Sequence, residues 1–381
     1  MSYFGYIDPA LQTMMILDEP RTQAYAEAIA KVVGPEDVVL DVGAGSGLLA
    51  LLAAKAGARK VYAVERTGMV EMIHKLAAEN GVADRIEVLR SDLEDVKDLA
   101  EKPTVLISEM LGHFAHDEDQ HRLYQRALRL CAPNARTIPR SYKVSMAAGR
   151  PLDHDSDLDR LSDVFGVTMN ELVQRLRHRV SIREVQPEDL MGPEARTESI
   201  PVASSVPDHF GVTCKIEEDG PVTAIVTSFL ADLADGVQID TSAWSLTTHW
   251  QQVVFPIWPA LECKEGDEVV VDIWPRVSVG RGTWCWRVRC GDEVREGDAM
   301  DSYVGNADDT MAAMGMRRSR KGERGESRTL RAWAAILGGD CELSADEMTD
   351  RLLAALPDEF ADRADARQEV LRLLAAAEAL R

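Results

Sequence analysis

The pattern of apolar and polar positions changes character at about residue 140. Before it, short apolar runs alternate with longer stretches at helical spacing. The pattern predicts a helix in the second half of residues 1–34 and a strand at Val38–Leu40. A helix through Leu48, Leu49, Leu51 and Leu52, a strand at Val61–Val64 and a helix around Val70–Asn80 follow. Strands at Ile86–Leu89 and Val105–Ile107 and a helix from Gln120 to Leu130 complete the region. Such alternation predicts a mainly parallel, doubly wound Rossmann-like α/β sheet, which binds ligands at its strand ends. After residue 140, alternating runs at Val222–Phe229, Val253–Ile257, Glu268–Ile273 and Trp284–Cys290 are broken by Gly, Asp and Pro. They predict a β-rich barrel or sandwich.

Two segments depart from this scheme. Residues 155–187 have helical spacing and polar flanks and read as an arm, which either docks on a second copy of the chain or folds back on its own domain. Residues 316–328, MRRSRKGERGESR, read as a charged linker. Beyond it, Ser344 to Glu347 form a capping-box signature, and Ala364–Arg381 is rich in Ala and Leu at helical spacing. The expected organisation is therefore a cofactor-binding domain with an N-terminal flap at 1–140, a barrel with its arm at 141–316, and a linker with a helical extension at 317–381.

Candidate chemistry begins at VVLDVGAGSGLLALLAAKAGARKVYAVE, residues 38–65. Gly43, Gly45 and Gly47 let the turn after the first strand approach a ligand, and Glu65, ending the second strand, can accept both hydroxyls of a ribose. Asp41 places negative charge where a dinucleotide's pyrophosphate would sit. S-adenosylmethionine, with a sulfonium and an ammonium but no phosphate, tolerates that acid. The plainer alternative is a glycine turn between packed elements.

Charge narrows the choice of partner. Lys plus Arg number 43 against 64 Asp plus Glu, a net charge of −21. That argues against sequence-independent nucleic-acid binding. It suits cationic substrates or simply solubility. Cys131, Cys214, Cys263, Cys285, Cys290 and Cys341 include no CxxC pair and read as core thiols of a reduced cytoplasmic protein. No signal-like segment appears, and no apolar run reaches the roughly 18 residues of a membrane span. No metal and no membrane partner are expected.

Two carboxylates, Glu109 and Glu118, bracket the loop SEMLGHFAHDE. A planar guanidinium can be gripped by such a pair through charge-assisted hydrogen bonds, whereas without a cation two nearby acids repel. Either one alone is an ordinary acidic loop residue. The glycine motif, this loop and Thr248-His249-Trp250 within TTHWQQVVF together resemble the protein arginine N-methyltransferase family, from the N-terminus to about residue 316.

The resemblance implies several roles. Arg21 holds the carboxylate of S-adenosylmethionine, Glu65 its ribose, and Leu93 and Glu94 meet the adenine; Met15 lies beside the reacting methyl. Asp18 hydrogen-bonds His249, either to pass a proton or to latch the flap to the barrel. Glu109 and Glu118, with Tyr6 and Trp250, form the substrate site, and VFGVTMNEL (164–172) is similar to part of the family's dimerisation arm. Gln120 stands where many members have Met, and the aromatic start is trimmed to YFGY. The expected acceptor is free L-arginine or a small guanidino metabolite, in keeping with a high-GC bacterial composition and a natural-product pathway. Alternatives are arginine residues in proteins, a non-catalytic cofactor-binding scaffold, and an RNA methyltransferase.

Overall fold

The computed structural model describes residues 9–114, 120–150, 158, 160–204, 207, 209–276, 283–299, 345–355, 363, 367 and 370. The N-terminal stretch folds as two helices, α1 (Pro9–Leu17) and α2 (Glu19–Val32), where the sequence pattern predicts a flap followed by one helix. Asp18 separates them. Its extended backbone ends α1, and its side chain caps α2 by accepting from the Arg21 amide at 3.1 Å.

The sheet that follows contains β1 (Val38–Val42), β2 (Lys60–Glu65), β3 (Ile86–Arg90), β4 (Val105–Ser108) and β5 (Arg136–Ile138), in the order β3-β2-β1-β4-β5. All its pairings are parallel. Strands β1, β2 and β4 are almost wholly buried, which accounts for their continuous apolar runs. Helices α3 (Leu48–Lys55), α4 (Val70–Glu79) and α5 (Gln120–Leu128) connect and flank it. The strand order reverses between β1 and β4, and a crevice at such a switch point is where sheets of this class take ligands.

The second region is antiparallel and barrel-like. A two-stranded hairpin pairs β7 (Asp163–Val164) with β8 (Val167–Thr168). The seven-stranded sheet contains β6 (Ser141–Gly149), β9 (Ser181–Arg183), β10 (Ala195–Arg196), β11 (Ile200–Pro201), β13 (Gly220–Ala234), β14 (Val237–Asp240) and β15 (Gln252–Cys263). The four-stranded sheet orders β12 (Phe210–Lys215), β16 (Glu268–Arg276), β17 (Thr283–Cys290) and β18 (Glu293–Asp298). The arm's helix is shorter than the spacing over 155–187 predicts. Asn170–Arg177 is helical after a two-stranded hairpin at 163–168, but Ser181–Arg183 already pairs with β15. An alternating Ser-Ile-Arg beside an open sheet edge gains more from ladder hydrogen bonds than from another helical turn.

The parallel sheet and the barrel share one compact unit. Phe114, in the loop after β4, inserts among Phe210, Phe255 and Trp284 of the barrel, with ring centroids 5.5, 5.6 and 4.6 Å away in edge-to-face geometry. Within the C-terminal unit, the described residues form the helix Ala345–Ala355, with Arg363 paired to Asp346 and Asp350 and Arg367 to Asp346. Ser344 and most of 364–381 lie outside the described residues. No described helix is long and apolar enough to cross a membrane.

Candidate active site

The glycine turn after β1 is wound in positive φ at Gly43 (71°), Gly45 (53°) and Gly47 (85°). Gly45 is also sterically committed: a Cβ there would stand 2.9 Å from Gln12 Oε1, which accepts the Ser46 amide at 3.1 Å. Gln12 thus ties α1 onto the turn. Glu65 closes the turn from the next strand, its two oxygens accepting the amides of Gly45 (2.9 Å) and Thr67 (2.7 Å). Each oxygen retains acceptor capacity.

Asp41 is 1% exposed. It accepts the Ala50 amide, and its Oδ2 has no partner. Burial, reinforced by Glu65 and opposed by the Ala50 bond and Arg21, pushes its carboxyl up to about 7. An orphaned buried acceptor beside a glycine turn and a second carboxylate suits a ligand that brings hydroxyls and positive charge. These residues fit S-adenosylmethionine.

Arg21 and Glu109 meet at the same strand ends. The guanidinium donates from Nε (3.1 Å) and Nη2 (2.7 Å) to Glu109 Oε2, and from Nη1 to the Met15 carbonyl (3.2 Å). The pair is nearly buried, with side chains 8% and 10% exposed. Burial would raise the Glu109 carboxyl, but the charge and hydrogen bonds of Arg21 outweigh it and hold Glu109 below the usual range. Its Oε1 accepts the Leu111 amide at 3.3 Å. Behind it, the hydroxyls of Tyr25 and Tyr124 both donate to the Ser108 carbonyl, at 3.2 and 3.0 Å. Burial, with Glu109 adjacent, pushes both phenols well above their ordinary value.

Asp18 joins this cluster to the barrel. Its Oδ2 accepts both the backbone amide (2.8 Å) and Nδ1 (2.6 Å) of His249. Burial opposes the charged form, but the His249 bonds and the Arg21 amide prevail and keep the carboxyl low. The His249 ring lies 4.2 Å from that of Trp250, which is 2% exposed and packs on Phe229. The Trp250 carbonyl contacts His113 Nδ1 at 2.6 Å, so the loop carrying Glu109 is tied to the barrel by His113 as well as by Phe114.

Asp18, Met15, Arg21, Glu109 and His249 therefore converge, and Asp41, Glu65 and the three glycines form the adjoining turn. Leu93 is buried in a short 3-10 turn, whereas Glu94 is half-exposed and pairs with Arg122 and Arg126 of α5. Glu118 and Tyr6 lie outside the described residues. Sequence reasoning missed Gln12, Thr67, Tyr25, Tyr124, His113 and Phe114. His113 and Phe114 lie within the loop SEMLGHFAHDE, where the sequence singles out only the two acids, and Thr67 meets Glu65 two residues away. No motif marks Gln12, Tyr25 and Tyr124, which long-range packing brings to the site.

A parallel sheet carrying this turn and acid at its switch point defines the class, and residues 39–134 match the family model described as a methyltransferase domain. The chain is an S-adenosylmethionine-dependent methyltransferase. Residues 148–279 match the arginine methyltransferase oligomerization subdomain. Protein arginine N-methyltransferase PRMT10 of Oryza sativa subsp. japonica is 30% identical over 303 residues, covering 68% of this chain and 79% of the relative. Protein arginine N-methyltransferase 6 of Danio rerio is 27% identical over 294 residues, covering 72% and 83%. The fold resembles the Trypanosoma brucei PRMT1 enzyme-prozyme heterotetrameric complex with AdoHcy (TM-score 0.72, 22% identity, 77% of this chain and 98% of that one). It also resembles Arabidopsis thaliana protein arginine methyltransferase 10 (TM-score 0.66, 22% identity, 78% and 100%). The chain belongs to the protein arginine N-methyltransferase family.

Proposed function

We propose that the chain transfers a methyl group to a terminal guanidino nitrogen of arginine, with free L-arginine or a small guanidino metabolite as acceptor. The observation that carries the guanidine reading is Arg21 forked onto Glu109: the chain's own guanidinium occupies a carboxylate held anionic and aimed by the Leu111 amide. Glu118, which lies outside the described residues, is proposed as the second acid of the clamp.

When bound, S-adenosylmethionine supplies an electrophilic methyl on its sulfonium. Glu65 is suited to the ribose hydroxyls, Asp41 to a donor or positive charge, Arg21 to the carboxylate, Leu93 and Glu94 to the adenine, and Met15 to the space beside the methyl. Glu109 binds and orients the acceptor, and its charge draws positive density away from the nitrogen that reacts. Positioning of this kind lowers barriers by on the order of 7 kcal/mol or more. Asp18 acts as a latch, since one oxygen holds both the amide and the ring of His249. The acidic proton of the product leaves after transfer.

The names of the relatives favour a second acceptor, arginine in proteins. Reactions with labelled methyl donor, offered free L-arginine and an arginine-rich peptide separately, distinguish the two by mass spectrometry. Label on free arginine alone supports the first reading, label on the peptide alone replaces it with the second, and label on neither overturns guanidine methylation.

The arm supports a homodimer. Phe165 is fully exposed, and Val167, Met169 and Leu172 are also exposed on the same short hairpin and helix. A large apolar patch of this kind is a recurrent mark of an interface.

A further inference from the structure

At the opposite end of β15 from the His249-Trp250 loop, two thiols and a carboxylate from different elements converge. Cys263 ends β15 in the seven-stranded sheet, and Cys290 ends β17 in the four-stranded sheet, paired with Val269. Asp267 lies in the turn that carries the chain from one sheet to the other. The ligand atoms of all three lie within 4.8 Å of one another, and Cys290 Sγ is 3.8 Å from Asp267 Oδ2. Zinc bound tetrahedrally, with bonds of about 2.3 Å to sulfur and 2.0 Å to oxygen, separates its sulfur ligands by ~3.8 Å and sulfur from oxygen by ~3.5 Å. The Cys290–Asp267 separation is close to that spacing, and the other two pairs lie within 4.8 Å. We propose that Cys263, Asp267 and Cys290 bind a thiophilic divalent cation of the zinc class and join the two sheets at this end of the barrel.

Three further observations bear on the site. Cys263 is 3% exposed while Cys290 and Asp267 are part-exposed, so the cluster has a buried anchor and an open side from which a cation and a completing water can enter. The Asp267 carboxylate is oriented in advance: its Oδ2 accepts the Lys264 amide at 2.8 Å across the turn. A divalent ion entering the cluster displaces one proton from each thiol, so M2+ and two S–H groups become a dithiolate complex and two released protons. Both cysteines are free thiols in the structure. Measured along β13, whose Gly220 pairs with Cys263 and whose Thr227 pairs with Val253, the cluster lies on the order of 23 Å from the start of β15 at ~3.3 Å per residue, so it takes no part in methyl transfer.

The test uses the full chain, reduced and freed of metal by chelation, with Co2+ as the spectroscopic probe. One equivalent of Co2+ is expected to produce thiolate-to-cobalt charge transfer and the visible bands of tetrahedral Co2+, abolished by one equivalent of Zn2+. Zn2+ alone is expected to raise the Tm of the wild-type chain. Cys290→Ser, at a part-exposed position, should remove both responses, and Asp267→Asn should weaken Co2+ binding at least tenfold. Cys263→Ser should also remove both, with circular dichroism confirming that it folds; should it not fold, Cys290→Ser decides. The remaining cysteines persist in every variant as controls. Absence of the charge-transfer band in the wild-type chain overturns the proposal, as does its survival in Cys290→Ser. A Cys263–Cys290 disulfide in protein purified without reductant, with no Co2+ uptake after reduction, overturns it in favour of a redox pair.

Discussion

Arg21 places Nε and Nη2 on a single oxygen of Glu109, leaving Oε1 to the Leu111 amide. The acid proposed to grip an incoming guanidinium is thus already in contact with one from its own chain. Arg21 both keeps Glu109 ionised and competes for its lone pairs. Glu109→Gln removes the charge but not the shape. Its kcat should fall by about two orders of magnitude or more, the scale of losing one well-placed electrostatic contact. Affinity for S-adenosylmethionine, measured by calorimetry, should change less than threefold. Unchanged turnover would remove Glu109 from the site.

Asp41 sets a pH dependence opposite in sign to that of most carboxylates. Its carboxyl lies near 7 in the fold against 3.8 when solvated, so folded chains keep a proton that unfolded chains have lost. Stability from this group is complete below pH 3.8 and lost as pH rises towards 7. Asp41→Asn, which can still accept the Ala50 amide, should therefore have a Tm advantage in the ligand-free protein that grows from pH 5 to pH 8. Differential scanning fluorimetry across that range checks it, and a constant difference refutes the assignment. The same variant should bind S-adenosylmethionine at least tenfold more weakly.

Asp18 behaves in the ordinary direction. Its folded carboxyl is held below 3.8, so its contribution is fully present above that value and is lost as pH falls through the lower folded one. Asp18→Ala removes a helix cap of about 1 kcal/mol together with the link to His249. Chemical denaturation at pH 7 should show a loss of about 1–3 kcal/mol, and the deficit should shrink in acid. Turnover should fall more than stability predicts, because the latch holds α2, and with it Arg21, against the barrel.

The glycine turn offers an internally controlled comparison. Gly45→Ala meets both a positive φ and Gln12 at 2.9 Å, whereas Gly68→Ala meets nothing within 4 Å at an exposed, ordinary φ. The first should cost ~1 kcal/mol or more of stability and most of the affinity for the methyl donor. The second should leave both within error. Equal effects in the two variants would show that the turn is not sterically committed.

Apolar exposure on the arm predicts assembly. Replacing Val167 and Leu172 by Ser together should shift a dimer towards monomer in sedimentation velocity, with secondary structure unchanged. A monomeric wild-type chain would leave the arm without that role.

The order of elements, the parallel sheet, the glycine turn with Glu65, and the loop beginning at Glu109 were legible in the sequence, because strand and helix periodicity and the φ demands of glycine are local properties of the chain. What local pattern could not determine is which side chains meet across long intervals. The Arg21–Glu109 fork and the two His249 bonds to Asp18 depend on α2 packing between the parallel sheet and the barrel, and Gln12 beneath the Ser46 amide on α1 lying against α2 and the glycine turn. The arm was overestimated for the same reason: Ser181–Arg183 has no strand signal strong enough to overcome the helical spacing before it, and β15 supplies the missing hydrogen-bond partners only once the barrel closes. Local pattern specified the parts, and burial against distant elements decided their charges and contacts.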